Sequence, residues 1–302
     1  MTLVGLRRAA RIVATLAFGA LLASCASFRP KGRIIAGPSG AIGAAALSND
    51  RAAVLSGTGT TRAVFVIDLK SGSTERSFGV TREASGMAAA TPSGPLLISI
   101  AGTDKRGGAI GAIEQWSLDG RKLATLPAAG PVMAITQVVD GTAYILVRGN
   151  GKARAAVRLT VTAGQLWRTI PLEAGIEGLQ QCKIGALHFL VYSLGSPGTI
   201  VLRERSSGVE LRSDVAARNP TCFDGRPNVF AIQKTSHATR VIALSVPSML
   251  QDSAIAANRD LVALYDTPDH AVLALNATAQ TSTLELYPQD AFNVARAGSN
   301  GP

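Results

Sequence analysis

Charged and aromatic residues are scarce in this 302-residue sequence, at 17% and 5%, while hydrophobic residues make up 47%. A normal apolar fraction with so little charge excludes a disordered chain. Beyond the N-terminal region, apolar stretches end well short of the roughly 20 residues that a membrane-spanning helix needs, which excludes a bundle of membrane spans. The length suits one large globular domain or two small ones.

Histidine is rarer still, and the common catalytic motifs are missing. His188, His237 and His270 have no metal-ligand spacing, and His188 lies within an apolar pattern that favours a core position. The sequence contains no phosphate-binding P-loop, no Gly-x-Ser-x-Gly nucleophile elbow and no His-Glu-x-x-His motif. Ser39 and Ser196, each between glycine and proline, indicate turns. We therefore expect no cofactor, no metal and no enzymatic activity.

The N-terminus has the pattern of an export signal. Arg7, Arg8 and Arg11 precede an uncharged run over residues 12–23, which is too short to span a membrane. The following Leu22-Ala23-Ser24-Cys25 resembles the lipobox of bacterial lipoproteins. The resemblance implies a signal peptide over residues 1–24 and lipidation of Cys25. The alternative is an ordinary signal peptide in which Cys25 has no role.

Lipidation would decide where the protein resides. Two or three acyl chains hold a protein on a bilayer stably, which one chain does not. We expect a lipid anchor in the cell envelope, on the periplasmic face of the outer membrane if the host is Gram-negative, because Ala26 is not the aspartate associated with inner-membrane retention. Removal of the signal peptide takes away three arginines and no acid, which lowers the net charge from +10 to +7.

From about residue 50 onward, short apolar runs and turns recur with a period of 40 to 50 residues. First runs occupy residues 52–55, 96–100, 144–147, 189–192, 229–232 and 261–264, and second runs follow at 64–69, 112–118, 156–161, 200–205, 241–246 and 272–275. The turns after the second runs contain Gly72, Gly120, Gly164 and Gly208. This period predicts an all-β propeller with six blades, or seven. A β-sandwich or two stacked β-domains are the alternatives.

The pattern also predicts the domain boundaries. We assign residues 25–37 to a lipid-anchored linker in which residues 32–36 can supply a closing strand, 38–290 to the propeller and 291–302 to a flexible tail. The last copy is compressed, because its second run begins only 31 residues after the previous one. A short or missing strand is therefore expected there.

Two segments resemble known propeller repeats. The segment Ala63-Val64-Phe65-Val66-Ile67-Asp68-Leu69-Lys70-Ser71-Gly72-Ser73-Thr74 is similar to YVTN-type and tryptophan–aspartate repeats, and Ala163-Gly164-Gln165-Leu166-Trp167 is similar to the quinoprotein type. The resemblance implies the fold far more than an activity. Propeller lipoproteins of outer-membrane assembly machinery combine the same kind of anchor with blades.

Cys182 and Cys222 are the two cysteines left after export. Each begins a Cys-x-x-Gly segment, and the two lie 40 residues apart, just before the first runs of adjacent copies. Equivalent positions on neighbouring inner strands lie close enough for a disulfide, which persists in an oxidising compartment. We expect this disulfide, with two buried thiols as the alternative.

One turn carries a cluster of positive charge. Arg148, Lys152 and Arg154 flank two glycines in Arg148-Gly149-Asn150-Gly151-Lys152-Ala153-Arg154. The turn could bind anionic lipid headgroups or an acidic polysaccharide, or it could simply be a solvated hairpin tip. Nucleic acid is not an expected partner, because few aromatic residues are present to stack on bases.

The sequence leaves two classes of function. The first is a non-enzymatic, membrane-anchored scaffold that binds another envelope protein, for example in envelope assembly or secretion. The second is a propeller enzyme or a binder of small ligands or polysaccharide that uses the central channel, lactonase-like or quinoprotein-like. The second class would need polar or acidic residues at matching inner positions, where the copies have mostly Ala, Gly and Thr.

Overall fold

A computed structural model describes residues 33–58, 60–103, 106–149, 154–161, 165–223, 226–258, 260–269 and 271–288. The expected signal peptide, Cys25, Lys152 and the tail over 291–302 lie outside these residues. Within them the regular structure consists of twenty-three β-strands. No helix that is long and apolar enough to cross a membrane occurs in the described part of the chain.

The strands follow one another closely along the chain. In chain order they are β1 Arg33–Gly37, β2 Ala41–Ser48, β3 Arg51–Thr58, β4 Thr61–Asp68, β5 Thr74–Val80, β6 Ala84–Ala89, β7 Leu96–Thr103, β8 Ala109–Trp116, β9 Lys122–Pro127, β10 Val132–Ile135, β11 Thr142–Arg148 and β12 Arg154–Thr160. The remainder are β13 Gln165–Leu172, β14 Ile176–Ile184, β15 Leu187–Gly195, β16 Gly198–Glu204, β17 Glu210–Cys222, β18 Asn228–Lys234, β19 Thr239–Ser245, β20 Gln251–Ala257, β21 Leu261–Asp266, β22 Val272–Ala277 and β23 Ser282–Tyr287.

These strands form six antiparallel blades. Blades 1, 2 and 3 are the sheets β2-β3-β4-β5, β6-β7-β8-β9 and β10-β11-β12-β13. Blades 4 and 5 form one seven-stranded sheet from β14 to β20, because the 13-residue strand β17 pairs with β16 as the outer strand of blade 4 and with β18 as the inner strand of blade 5. Blade 6 is β21-β22-β23-β1.

The six inner strands form a closed ring. Strands β2, β6, β10, β14, β17 and β21 each contact the next, and β21 contacts β2. Small side chains such as Ala44 and Ala88, both buried, let these strands approach the axis closely. This closure confirms the predicted six-bladed propeller and excludes the β-sandwich.

The N-terminal strand closes the ring. Strand β1 pairs antiparallel with β23, with Arg33 opposite Leu286 and Gly37 opposite Ser282. The Ser282 hydroxyl donates a hydrogen bond to the carbonyl of Pro38. Blade 6 thus takes its outer strand from the beginning of the chain, over nearly the residues that the sequence suggested.

The expectation of a compressed last copy was wrong. Residues 261–264 belong to β21, the inner strand of blade 6, and residues 272–275 belong to β22, its second strand. In the other blades the first and second runs form the second and third strands, whereas in blade 6 they form the first and second strands. The cause is physical: β21 reads Leu-Val-Ala-Leu-Tyr-Asp, as apolar as the middle strands of the other blades, because it is covered by both neighbouring blades.

The core lies between the blades, where the middle strands are covered on both faces. One cluster joins Leu55 and Val64 of blade 1 to Ile98 and Trp116 of blade 2. Similar clusters join each of the other pairs of adjacent blades. Turn glycines were expected at four equivalent positions. Gly72, Gly120 and Gly208 have φ of 76°, 85° and 74°, a region that favours glycine, and Gly164 lies outside the described residues.

The propeller has two distinct faces. All inner strands run in the same direction, so we call the face where they begin the N face and the face where they end the C face. Turns between first and second strands and between third and fourth strands lie on the C face, and the remaining connections lie on the N face.

Candidate functional site

The central channel holds a cavity at each end. The C-face cavity has a volume of about 380 Å³ and is lined by inner strands of all six blades, through Ala44, Ala88, Ile135, Cys182, Cys222 and Leu264 among others. The N-face cavity has about 390 Å³. Met87, Gln180 and Tyr265 line both cavities and so lie between them. The side chains that line the channel are mostly small and apolar, while polar side chains lie at its opening on the C face.

Tyr265 is the largest polar side chain between the two cavities. Its hydroxyl accepts a hydrogen bond of 2.9 Å from the backbone N–H of Ala44, which links blade 6 to blade 1. Burial raises the pKa of Tyr265 to about 12. The hydroxyl is therefore neutral at physiological pH and acts as a structural hydrogen-bonding group.

An ionic cluster bridges blades 3 and 4 at the C-face cavity. Lys183 Nζ donates a hydrogen bond of 3.0 Å to Asp140 Oδ2, and His188 Nε2 lies 3.6 Å from the same oxygen. The hydrogen bond from Lys183 lowers the pKa of Asp140. The expected core position of His188 is wrong: its side chain is 31% exposed, because the start of β15 reaches the C face beyond the core.

The two cysteines of the described chain form a disulfide. Cys182 of β14 and Cys222 of β17 have their Cα atoms 5.4 Å apart, and both residues are buried at the wall of the C-face cavity. The bond joins the inner strands of blades 4 and 5, which β17 also joins through its backbone. Blades 4 and 5 are therefore connected twice.

The two strand ends that flank the basic turn of blade 3 lie at the N face. Arg148 ends β11, is exposed, and lies opposite Arg154 of β12 in the strand register. No acidic side chain among the described residues forms an ion pair with Arg148. Lys152, the third residue of the expected site, lies outside the described residues.

A groove between blades 3 and 4 was not predicted from the sequence. It has a volume of about 560 Å³ and includes Tyr144, Arg158 and Arg205 in its lining. The guanidinium of Arg205 lies 5.3 Å from the centroid of the Tyr144 ring. Hydrogen bonds from Ser207 and Ser206 lower the pKa of Glu204 to about 2, so this carboxylate is engaged within its own turn. These residues come from separate repeats and share no sequence motif.

No group of three or more His, Cys, Asp or Glu residues that could hold a metal ion occurs among the residues that the structure describes. The polar groups of the channel instead form pairs between neighbouring blades. Such an arrangement stabilises the ring.

Comparison with known proteins identifies the fold. No family model matches the chain, and no curated protein matches it. Similar solved structures include hydrazine synthase of Kuenenia stuttgartiensis, with 10% identity over 81% of this chain and 82% of that chain and a TM-score of 0.59. Another is a glucose dehydrogenase, with 13% identity, coverage of 85% and 99%, and a TM-score of 0.58.

A third similar structure is a chain of the Mitotic Checkpoint Complex, with 13% identity, coverage of 87% and 94%, and a TM-score of 0.58. The chain is a β-propeller. Identities this low show the fold alone, and the three names span two enzymes and one assembly, so the fold does not select between the two classes of function.

Proposed function

We propose that this chain is a lipid-anchored protein of the bacterial envelope whose propeller binds a partner protein without catalysing a reaction. The observation that carries the proposal is the position of β1. This strand begins at Arg33, eight residues after Cys25 of the lipobox-like motif, and completes blade 6. An anchor at Cys25 would thus be joined through a short linker to a strand that closes the whole ring.

The N face is the partner surface that we favour. Its basic turn begins at the exposed Arg148, whose charge an acidic partner would complement. The pathway that we favour for such a scaffold is envelope assembly or secretion.

The anchor is tested by fractionation together with mass spectrometry of the mature N-terminus. The wild-type chain should lie in the membrane fraction and begin at a Cys25 that carries acyl chains, while Cys25→Ala should lose the acyl mass and leave that fraction. If Cys25→Ala stays in the membrane fraction, or if the wild-type thiol is unmodified, the lipoprotein assignment is wrong.

The partner surface is tested by crosslinking in living cells. A photoreactive residue in place of Arg148 should give a discrete crosslinked species of protein size. The matched control is Gln280, which is exposed on the same face in blade 6, on the opposite side of the ring. Equal crosslinking from both positions, or none from Arg148, would rule out the basic turn as the contact.

A channel ligand is the second candidate, favoured by the size of the C-face cavity and by the polar side chains at its opening. Its volume of about 380 Å³ accommodates a small molecule, and Asp140 and Lys183 lie at its edge. A panel of sugars and small anions should then raise the melting temperature of the wild-type protein and leave that of Lys183→Ala unchanged. Equal shifts for both proteins would place the ligand elsewhere.

A further inference from the structure

Large apolar side chains are concentrated on the C face. Seven large hydrophobic residues of the described chain are exposed, and five of them lie at C-face turns or at strand ends that meet this face: Ile34, Leu123, Leu187, Val209 and Leu250. Of the other two, Ile42 lines the N-face cavity and Ile110 lies near the N face. Scattered apolar residues are normal on a surface, but a bias of this kind marks an interaction site. We call the five residues the C-face rim.

The C-face rim is spread around the ring. Leu123 belongs to blade 2, Leu187 and Val209 to blade 4, Leu250 to blade 5 and Ile34 to blade 6. Blades 2, 4 and 6 alternate around the ring, so these side chains can all meet one flat surface at once. A peptide in a groove would contact only one or two neighbouring blades. The arrangement therefore suits a broad, flat partner.

The position where β1 begins indicates that the flat partner is the bilayer. Strand β1 begins on the C face, because Arg33 pairs with Leu286 at the end of β23. The eight residues from Cys25 to Arg33 reach at most about 28 Å when fully extended. If the N face lay toward the bilayer, the start of β1 would stand one strand length above the membrane surface, about 23 Å for seven residues. Most of the extended length of the linker would be needed to span that distance. With the C face toward the bilayer, the start of β1 is not raised.

Charge on the C face is compatible with anionic lipid. Arg33 is exposed and directly precedes the rim residue Ile34, and a long basic side chain lays its stem along apolar surface while its charge reaches the headgroups. Two acidic side chains of this face are paired with lysines. Asp50 lies 2.6 Å from Lys70, and Asp140 lies 3.0 Å from Lys183.

We propose that the C face lies against the bilayer that carries the anchor, with the C-face rim between the lipid headgroups. This inference rests on the proposed function, because it takes Cys25 as the point of attachment. It adds an orientation: the N face, with its basic turn, points away from the membrane toward the partner.

The orientation is measured with single fluorescent labels on the acylated full chain in vesicles of phosphatidylethanolamine and phosphatidylglycerol. Leu187→Cys and Leu250→Cys place a polarity-sensitive dye at the rim, and Ile110→Cys is the matched control, because it replaces an exposed apolar residue near the opposite face. We expect a blue-shifted rim dye that lipid-borne quenchers reach and aqueous iodide does not, and the reverse for the control.

Each other outcome contradicts a defined statement. Quenching by lipid at Ile110 alone would reverse the orientation. Aqueous exposure of all three dyes on protein that still sediments with the vesicles would overturn the contact while leaving the anchor intact. Protein that does not sediment with the vesicles would overturn the anchor itself, and the orientation with it.

A second variant separates insertion of the rim from simple tethering. Leu187→Ser, Val209→Ser and Leu250→Ser together remove apolar contacts without touching the core, and a dye at Ser248→Cys, in an exposed C-face turn, reports the distance to lipid. Lipid quenching should fall about tenfold, since burial of a single Val or Leu side chain shifts an equilibrium by at least that factor. Unchanged quenching would show that the linker alone sets the orientation.

Discussion

The indole N–H of Trp116 donates a hydrogen bond of 3.0 Å to Glu114 Oε2, two residues earlier on the same strand. Thr81 donates to the same oxygen at 2.6 Å, and Lys122 donates to Oε1 at 2.9 Å. Glu114 is only 4% exposed. One buried carboxylate therefore satisfies three donors between blades 1 and 2, beside the Trp116 ring that packs on Phe78.

Replacement of this carboxylate should be costly. We expect Glu114→Gln to lower the free energy of unfolding by about 2 kcal/mol. The NH2 group of glutamine cannot accept a hydrogen bond from the donors that one carboxylate oxygen now accepts, and Lys122 loses its charge partner. Urea denaturation measures the loss. The matched control is Glu75→Gln, which breaks the half-exposed pair with Arg51 and should cost less than about 1 kcal/mol. Equal losses would contradict the importance of burial.

The same carboxylate gives a pH dependence. Burial alone would raise the pKa of Glu114, but the hydrogen bonds from Thr81, Lys122 and Trp116 together outweigh burial and lower it. A carboxylate whose pKa is lower in the folded than in the unfolded state contributes its full stability at pH values above the unfolded-state pKa, near 4.3. This contribution is lost as the pH falls through the folded-state pKa. The stability difference between wild type and Glu114→Gln should shrink in acid, and a constant difference from pH 7 to 3 would disprove it.

The Cys182–Cys222 bond should stabilise the ring substantially. It closes a loop of 40 residues, which corresponds to about 4 kcal/mol in the chain-entropy account. We expect the double variant Cys182→Ala/Cys222→Ala to unfold at lower denaturant, with a midpoint that dithiothreitol does not change. The wild-type midpoint should fall toward that of the variant when dithiothreitol is added. A wild-type midpoint insensitive to complete reduction would refute the prediction.

Gly111 allows two backbone segments to pass closely. A Cβ on Gly111 would overlap the carbonyl oxygen of Gly130, in the connection from blade 2 to blade 3. Gly111→Ala should therefore cost about 3 kcal/mol or more, since backbone must move to relieve the overlap. Gly79→Ala is the matched strand control, because its Cβ would lie 3.9 Å from the nearest atom, the carbonyl oxygen of Arg62. Thermal denaturation of both variants distinguishes the two cases.

Two tyrosines should make the fold sensitive to alkali. Burial raises the pKa of Tyr265 to about 12, and burial together with the charge of Glu210 raises that of Tyr192 to about 12. A raised folded pKa gives stability that is complete below the unfolded pKa, near 10, and is lost as the pH rises through 12. Each tyrosine should thus cost about 1 kcal/mol of stability between pH 9 and 11.

Tyr265→Phe separates this effect from packing. The variant should be less stable than wild type at pH 9, because the N–H of Ala44 loses its acceptor. Its stability should then fall less than that of wild type between pH 9 and 11. Urea midpoints at both pH values measure the two effects, and a parallel fall would show that Tyr265 does not titrate in this range.

Periodicity alone predicted the fold, because each blade is a local antiparallel unit with its own apolar runs and turns. It failed at β21, where an inner strand is as apolar as a middle strand, and at His188, where a strand continues past the core. It also could not show that β17 belongs to two blades, since the outer and inner halves of this strand follow one another without a loop.

The two proposed binding surfaces could be predicted only in part from the sequence. The basic turn is a continuous segment and was visible as a charge cluster. The C-face rim is not continuous, because its members come from four blades and acquire a common face only when the ring closes. The position of Arg205 over Tyr144 has the same origin: 61 residues separate two side chains that meet across neighbouring blades.

Strand β1 also determines how the molecule responds to force. A pull on the residues before Arg33, directed along the strand, acts at once on all five register pairs with β23, from Arg33 opposite Leu286 to Gly37 opposite Ser282. Hydrogen bonds loaded together in shear resist extension far better than bonds that open one after another from an end. The pairing that closes the ring therefore also resists extension, and a pull on the start of β1 would load this pairing as a whole before any blade opens.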